Sequence, residues 1–268
     1  MKRHSFWKYF FITLLLIICL FPFLWMLITS FKPESEALLI SLPSKITFEN
    51  YKKILFEYKF YRYFVNSLIV ATVSATFSTL FASLAAYAFA KKDFPLRNFL
   101  FWLFISSMMV PGLLYVIPQF LIVYQFQWIN RYEGMIVPHL ANVFGMFLIT
   151  QFLKDVPDSL LESARIDGAP EYKVFFNIVV PLTLPIIATV FLLNFQFHWS
   201  NFLWQLLVAQ TESMYTVPVG LAMFKSAHEE AYALKMAAST VSLLPIVILF
   251  FFAQRYFIEG ITQGAVKE

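Results

Sequence analysis

Charge is scarce in this sequence. Asp, Glu, Lys and Arg make up 13% of its 268 residues, about half the share of an ordinary soluble domain. The formal charge of +4 is scattered between apolar runs rather than gathered on one helix or stripe. That excludes a nucleic-acid binder, which needs a clustered basic footprint. Cysteine is rarer still: Cys19 stands alone, so no internal disulfide can form. Ile17 and Ile18 precede it where a lipid-anchor site would carry small residues. None of the seven glycines precedes a lysine, so the chain has no P-loop to cradle a nucleotide's phosphates. The four histidines, at 4, 139, 198 and 228, lie far apart and make no zinc-ligand spacing. No metal site and no Ser nucleophile elbow is expected, and His228-Glu229-Glu230 reads as a solvated turn. An enzyme embedded in a membrane therefore has no catalytic set here. Strict two-residue alternation is also missing, which argues against a membrane barrel.

What the chain has instead is apolar residues, 60% of the total. A chain of this length cannot hide them all inside a fold, and lipid is the solvent that accepts the excess. Six stretches, at 9–31, 66–90, 99–125, 134–153, 183–208 and 237–258, are each long enough for a spanning helix. Helices satisfy their own backbone in lipid. The expected class is all-α: a polytopic membrane bundle of six transmembrane helices, with residues 1–268 forming a single transmembrane domain. The first run is too long for a signal-peptide core and lacks an Ala-x-Ala-like end, so it reads as an uncleaved span. Lys2, Arg3 and Lys8 precede it, and Lys91, Lys92 and Arg97 follow the second. Those short basic segments place both termini in the cytoplasm. The segment 32–63, with six basic residues and four glutamates, falls outside.

The polar loop 154–181 follows the fourth stretch. Ser159 and Glu162 have capping-box spacing, predicting a helix start near Ser159. Gly168 is placed to end that helix in a left-handed turn. Pro170 can open a second helix, and Pro181 is expected to break it before the fifth span. Leu160, Leu161, Ala164 and Ile166 supply apolar surface, while Ala164 and Ala169 are small enough for close approach. Such a helix–turn–helix fits either a lipid surface or a groove on another protein. Its mild acidity favours the protein, because lipid surfaces attract basic helices.

Glu162-Ser163-Ala164, Asp167-Gly168-Ala169, Ile178 and Pro181 resemble the "EAA" signature loop of membrane subunits from binding-protein-dependent ABC importers. Ser163 in place of Ala, and Val180 in place of Leu, are mild departures. Asn66-Ser67, Ala85-Ala86-Tyr87-Ala88-Phe89-Ala90, Trp199-Ser200-Asn201-Phe202-Leu203-Trp204, Tyr215-Thr216-Val217-Pro218-Val219-Gly220 and Gln254-Arg255-Tyr256-Phe257, with Gly260, Gly264, Ala265 and Lys267, extend the likeness along nearly the whole chain. They are similar to maltose-type carbohydrate permeases, specifically the shorter of the two partner permeases. The resemblance implies a type I ABC importer permease fold in a prokaryotic inner membrane. It also implies a second permease subunit, two ATP-binding subunits using ATP and Mg, and an extracellular or periplasmic solute-binding protein. Glu162, Ser163, Ala164, Asp167, Gly168 and Ala169 would then couple to the ATPase mechanically, through alternating access. No cofactor is expected on this chain.

The fifth stretch carries Asn194, Gln196, His198, Trp199, Ser200, Asn201, Trp204 and Gln205. Polar groups in lipid tend to face a cavity, and amides with aromatic faces suit sugar. Asn194, His198, Trp199, Asn201 and Trp204 are the translocation-path candidates, with helix–helix bonding and interfacial anchoring as the plainer alternatives. The external segment 211–230 is expected to meet the binding protein. An ion-coupled secondary transporter is the alternative function. It would need ionisable groups within the spans, where the sequence offers little beyond His139 and His198.

Overall fold

The computed structural model describes the backbone of residues 2–227 and 231–265, with side chains over 7–224, 231–251 and 254. The turn His228-Glu229-Glu230, and Lys267 of the tail motif, lie outside the described residues. So do the side chains of Lys2, Arg3 and His4, and the other tail-motif side chains except Gln254. Among the described residues every regular element is helical.

Three helices are long and apolar enough to cross a membrane unaided. The first, α1, is Lys2–Ser30. The second, α2, is Phe60–Lys91. The last, α12, is Tyr232–Ala265, whose described apolar portion is Tyr232–Phe251. Two of the other expected spans are bent within their length, and the third follows a sharp bend. Arg97–Ser107 (α3) leads through a tight turn to Val116–Gln125 (α4), with a bend of 91°. Tyr132–Ile136 (α5) continues to His139 and then meets Val143–Lys154 (α6) at 43°. Asp158–Ile166 (α7) is the first helix of the polar loop. Glu171–Val174 (α8) runs through a widened turn to Leu182 and meets Leu184–Ser200 (α9) at 83°. Short Leu203–Val208 (α10) and Val217–Ala227 (α11) complete the order.

The unbroken runs 99–125 and 134–153 expected from hydropathy are thus each two helices. Pro111-Gly112 opens the tight turn in the first, and Pro138 sits at the break in the second. Proline deprives its turn of a backbone donor, a defect that averaged hydropathy does not register. Span five begins at Leu184, because the chain turns at Thr183, two residues beyond Pro181. Pro185 in its first turn cannot donate back across the bend.

Contacts divide the chain into two compact units. Met1–Phe64 with Val217–Pro245 forms the first. There the buried Lys32 donates to the Leu39 carbonyl at 2.7 Å and lies 4.6 Å from the Trp25 ring centre. The Asn50 amide donates to the carbonyls of Ser30 and Lys32, tying the end of α1 to the segment 32–63. The Glu34 carboxylate accepts the Ala233 N–H at the start of α12, where an anion suits the helix dipole. Gly220 packs so closely on Tyr63 that a Cβ would lie 2.2 Å from the ring. Across the most apolar window of α1 nothing is buried.

The second unit, Val65–Thr216 with Ile246–Glu268, contains two apolar clusters. One gathers Ala82, Ala86 and Tyr87 of α2 with Met146, Ile149 and Leu153 of α6, Leu161 of α7, Val174 of α8, and Phe175 and Val179 after it. The other joins Val70 of α2 to Val123, Met135, Ile136, Trp204 and Val208. At about 1.5 Å rise per residue, the 32 residues of α2 run about 48 Å, so one helix reaches both.

Candidate functional site

The polar loop is a helix, a left-handed turn and a second helix. Helix α7 starts at Asp158, with Pro157 in the capping position and no side chain bonding the first turn. The capping box expected of Ser159 and Glu162 is not formed. Pro157 sets the entry with extended ψ of 132°, one residue early, and Asp158 supplies the first-turn carboxylate that suits the dipole. At the other end the expected turn is present. Gly168 has φ +79°, a region costly for residues with a Cβ. Its N–H donates to the Arg165 carbonyl and the Ala169 N–H to the Ala164 carbonyl, both at 3.0 Å. That pair of bonds is a Schellman motif.

The loop's two faces have different work. Leu161 is 1% exposed and belongs to the apolar cluster beneath, with Ala164 and Ala169 packed against its edge. The small size of these alanines therefore serves the chain's own packing, not only an approach by another protein. Leu160, Glu162, Ser163, Ile166, Asp167 and Gly168 face outward, and Ile166 is 85% exposed. Ile166 is thus a large apolar side chain left bare beside a hydrogen-bonded turn.

Polar groups hold the inner face. Glu171 Oε1 accepts from Lys92 Nζ at 2.5 Å and Arg165 Nε at 2.9 Å, and its Oε2 accepts from the Tyr87 hydroxyl at 2.8 Å. Arg165 Nη2 also donates to the Tyr87 oxygen at 3.2 Å. Lys91 Nζ donates to the Val156 carbonyl at 2.6 Å and to Asp158 Oδ1 at 2.7 Å. The Lys92 ammonium, followed by the Tyr87 and Arg165 donors, holds the Glu171 carboxyl far below its ordinary 4.5, at about 2, against a partial loss of hydration that raises it. Lys91 likewise lowers Asp158.

A second feature lies where the broken spans face α9. Ser107, Met108, Tyr115 and Gln119 from the α3–α4 pair, 138–139 and 141–145 from the α5–α6 pair, and Val190, Leu193, Asn194, Phe197 and His198 of α9 line a cavity of about 470 Å³. Ligand pockets run from about 300 to 1,000 Å³. Asn142 Oδ1 caps α6 by accepting the Gly145 N–H at 2.8 Å, and its Nδ2 donates to Asn194 Oδ1 at 2.7 Å. Asn194 Nδ2 in turn donates to Thr79 Oγ1 of α2 at 3.1 Å. Gln119 Nε2 donates to the Pro138 carbonyl across the two breaks. The His139 and His198 rings lie 5.9 Å apart, and among the described residues His139 Nε2 and His198 Nδ1 are buried with no hydrogen-bond partner. Buried polar atoms are normally satisfied, and these two are exceptions beside the cavity.

Of the five path candidates, Asn194 and His198 line this cavity. The other three are occupied elsewhere. Trp199 is buried and stacks on Phe195, with ring centres 5.8 Å apart. Asn201 Oδ1 accepts the Trp204 N–H at the start of α10. The Trp204 indole donates to the Gly134 carbonyl at 3.0 Å inside the second apolar cluster. Conversely, Tyr115, Gln119 and Asn142 were not among the candidates. Their signals were the Pro111-Gly112 and Pro138 breakers, which mark where backbone opens. Asn66, in another of the quoted motifs, fastens the segment after α10 by donating to the carbonyls of Ser213 and Tyr215 while accepting from the Tyr132 hydroxyl.

Known proteins resemble this chain in sequence and fold. Residues 78–263 match the family described as binding-protein-dependent transport system inner membrane component. The arabinooligosaccharides transport system permease protein AraQ of Halalkalibacterium halodurans is 38% identical, over 93% of this chain and 92% of its own length. The trehalose/maltose transport system permease protein MalG of Thermococcus litoralis is 33% identical, over 95% of this chain and 94% of its own. A chain from the crystal structure of a bacterial ABC transporter involved in import of the acidic polysaccharide alginate superimposes with a TM-score of 0.85 at 20% identity, covering 96% of this chain and 97% of that one. The chain belongs to the binding-protein-dependent transport system inner membrane components, and it is an importer permease of the ABC type.

Proposed function

We propose that the chain is the shorter of two partner permeases in an ATP-driven importer of uncharged sugars. Two ATPase subunits, which use ATP and Mg, lie beneath the permease pair, and one of them docks on the outward face of α7 and the Gly168 turn. A solute-binding protein delivers sugar from outside and meets the external segment 211–230. Both termini lie in the cytoplasm of a prokaryotic cell. Family membership leaves no place for the ion-coupled alternative.

The observation that carries the reading is the split of the polar loop into a packed inner face and a bare outer one. A loop resting on lipid would bury its apolar side chains in headgroups and need no rigid turn. Here the most exposed apolar side chain of α7, Ile166, stands next to a hydrogen-bonded Schellman turn. The sugar is argued from the cavity. Among its lining residues none is Asp, Glu, Lys or Arg, while amides, a phenol and imidazoles converge among apolar walls. Such donors and acceptors match neutral hydroxyls, and nothing there balances a uronate.

Burying an isoleucine is worth about 1.5–3 kcal/mol. Ile166→Asp is therefore expected to weaken docking at least about tenfold while leaving insertion intact. Purification of the tagged chain in mild detergent should recover a second multi-span protein and a P-loop ATPase, with the ATPase depleted for Ile166→Asp. Full ATPase recovery with that variant would refute the docking face.

A further inference from the structure

Two covalent ends join the polar loop to the bundle, and both are bends. At one end the three residues Asp155, Val156 and Pro157 separate α6 from α7. At the other the chain turns 83° at Thr183. A bend transmits a push poorly, since backbone rotation absorbs it. The loop's firmest hold lies elsewhere, on a helix distant in sequence.

We infer that Tyr87, Lys91 and Lys92, at the end of α2, form with Asp158, Arg165 and Glu171 a clamp that carries movement of the docking loop into span two. This rests on the docking-loop reading above. Three donors from three sequence positions, Tyr87, Lys92 and Arg165, converge on the one carboxylate of Glu171. Arg165 also joins α7 to α8, so the two loop helices move as one piece. Lys91 fixes the entry of α7 through Val156 and Asp158, and its side chain is only 4% exposed. Water competes weakly for an ammonium so enclosed. Beneath these bonds Tyr87 packs on Phe175, with ring centres 5.6 Å apart, and Ala86 shares a cluster with Leu161 and Val174. The clamp residues are distinct from the outward residues proposed to meet the ATPase.

The clamp has a route to the cavity. Thr79 lies eight residues before Tyr87 on the same helix, about 12 Å along it, and accepts from Asn194. Asn194 accepts from Asn142 at the break between α5 and α6. A shift of α2 along its axis therefore reaches two side chains of the cavity frame without passing through either bend. The motif Ala85-Ala86-Tyr87-Ala88-Phe89-Ala90 is thereby accounted for: small residues let the loop sit close, and one tyrosine supplies the hydroxyl.

The test uses the whole complex, purified through a tag on this chain and reconstituted in liposomes with its binding protein and sugar. Tyr87→Phe removes one hydroxyl without changing shape, and Glu171→Gln removes the charge on which the clamp converges. Both should retain the ATPase subunits and hydrolyse ATP as the parent does. Uptake per ATP should fall at least about fivefold, the lower end of a typical coupling free energy. The double variant should be little worse than either single one, because both act on one network. Parental uptake per ATP in Tyr87→Phe and Glu171→Gln would overturn the clamp, and so would loss of the ATPase, which would make these residues shape the docking face instead. Ile166→Asp separates the two readings: if it retains the ATPase, the docking face itself is wrong, whatever the clamp variants do.

Discussion

Glu171 is a solvent-touching carboxylate, 49% exposed in its side chain, yet it is held as an anion down to a pKa of about 2. The sign of its pH dependence follows. A carboxyl whose folded pKa lies below its ordinary 4.5 contributes stability that is complete above about pH 4.5 and is lost as pH falls toward 2. Thermal stability of the parent and of Glu171→Gln in detergent should therefore differ at pH 7 and converge as the pH is lowered from 4.5 to 2. Because other charges titrate too, the difference between the two proteins is the readout. A gap that stays constant over that range would mean that the carboxylate gains nothing from Lys92. Gly168 was the residue most legible in the sequence. A glycine at helix-end spacing, with proline two residues on, has few other uses, and its φ of +79° is what that pattern requires. Ser159 and Glu162 were misleading, because capping-box spacing says nothing of a preceding proline that starts the helix one residue sooner. The partner of Glu171 was not legible at all. Tyr87 lies 84 positions away, and only the fold brings the two together.

Helices α6 and α9 show what an element needs in order to frame a cavity. They approach so closely that a Cβ on Gly145 would lie 2.7 Å from Val190 Cγ1 and 2.6 Å from Asn142 Nδ2. Gly145→Ala must push the helices apart or turn the Asn142 amide away from Asn194. Overpacking of this kind costs about 1–3 kcal/mol. The expected outcome is a properly inserted chain with a melting temperature lowered by a few degrees and a sharply reduced rate of sugar uptake; an unchanged melting temperature would show that the helices have slack. Half-buried Ala164 makes the same point from the other side. It packs toward the chain's own core, so Ala164→Arg would injure the loop's seat as well as its docking, and Ile166 is the cleaner probe. Spans were legible as lengths of apolar sequence, and α1, α2 and α12 follow them. The bends were not legible as bends, since a window of hydropathy counts side chains and ignores the missing N–H of Pro111 or Pro138.

At the scale of the whole molecule, two facts stand together: α2 is about 48 Å long, and the hydrocarbon of a bilayer is about 30 Å thick. The excess must be taken up by tilt or by protrusion, and a helix answers a change of thickness by changing its tilt. Its far end carries Tyr87, Lys91 and Lys92. In a thicker bilayer α2 stands more upright, and that end swings relative to the surface on which the loop lies. Lipid composition thereby acts on the gearing between ATP and sugar. Reconstituted in phosphatidylcholines of increasing acyl length, the parent complex should change its uptake per ATP steadily. Tyr87→Phe, its linkage slackened, should change less; equal slopes for the two would deny span two this part. Through the overlong helix, bilayer thickness is expected to act as a mechanical setting of the machine.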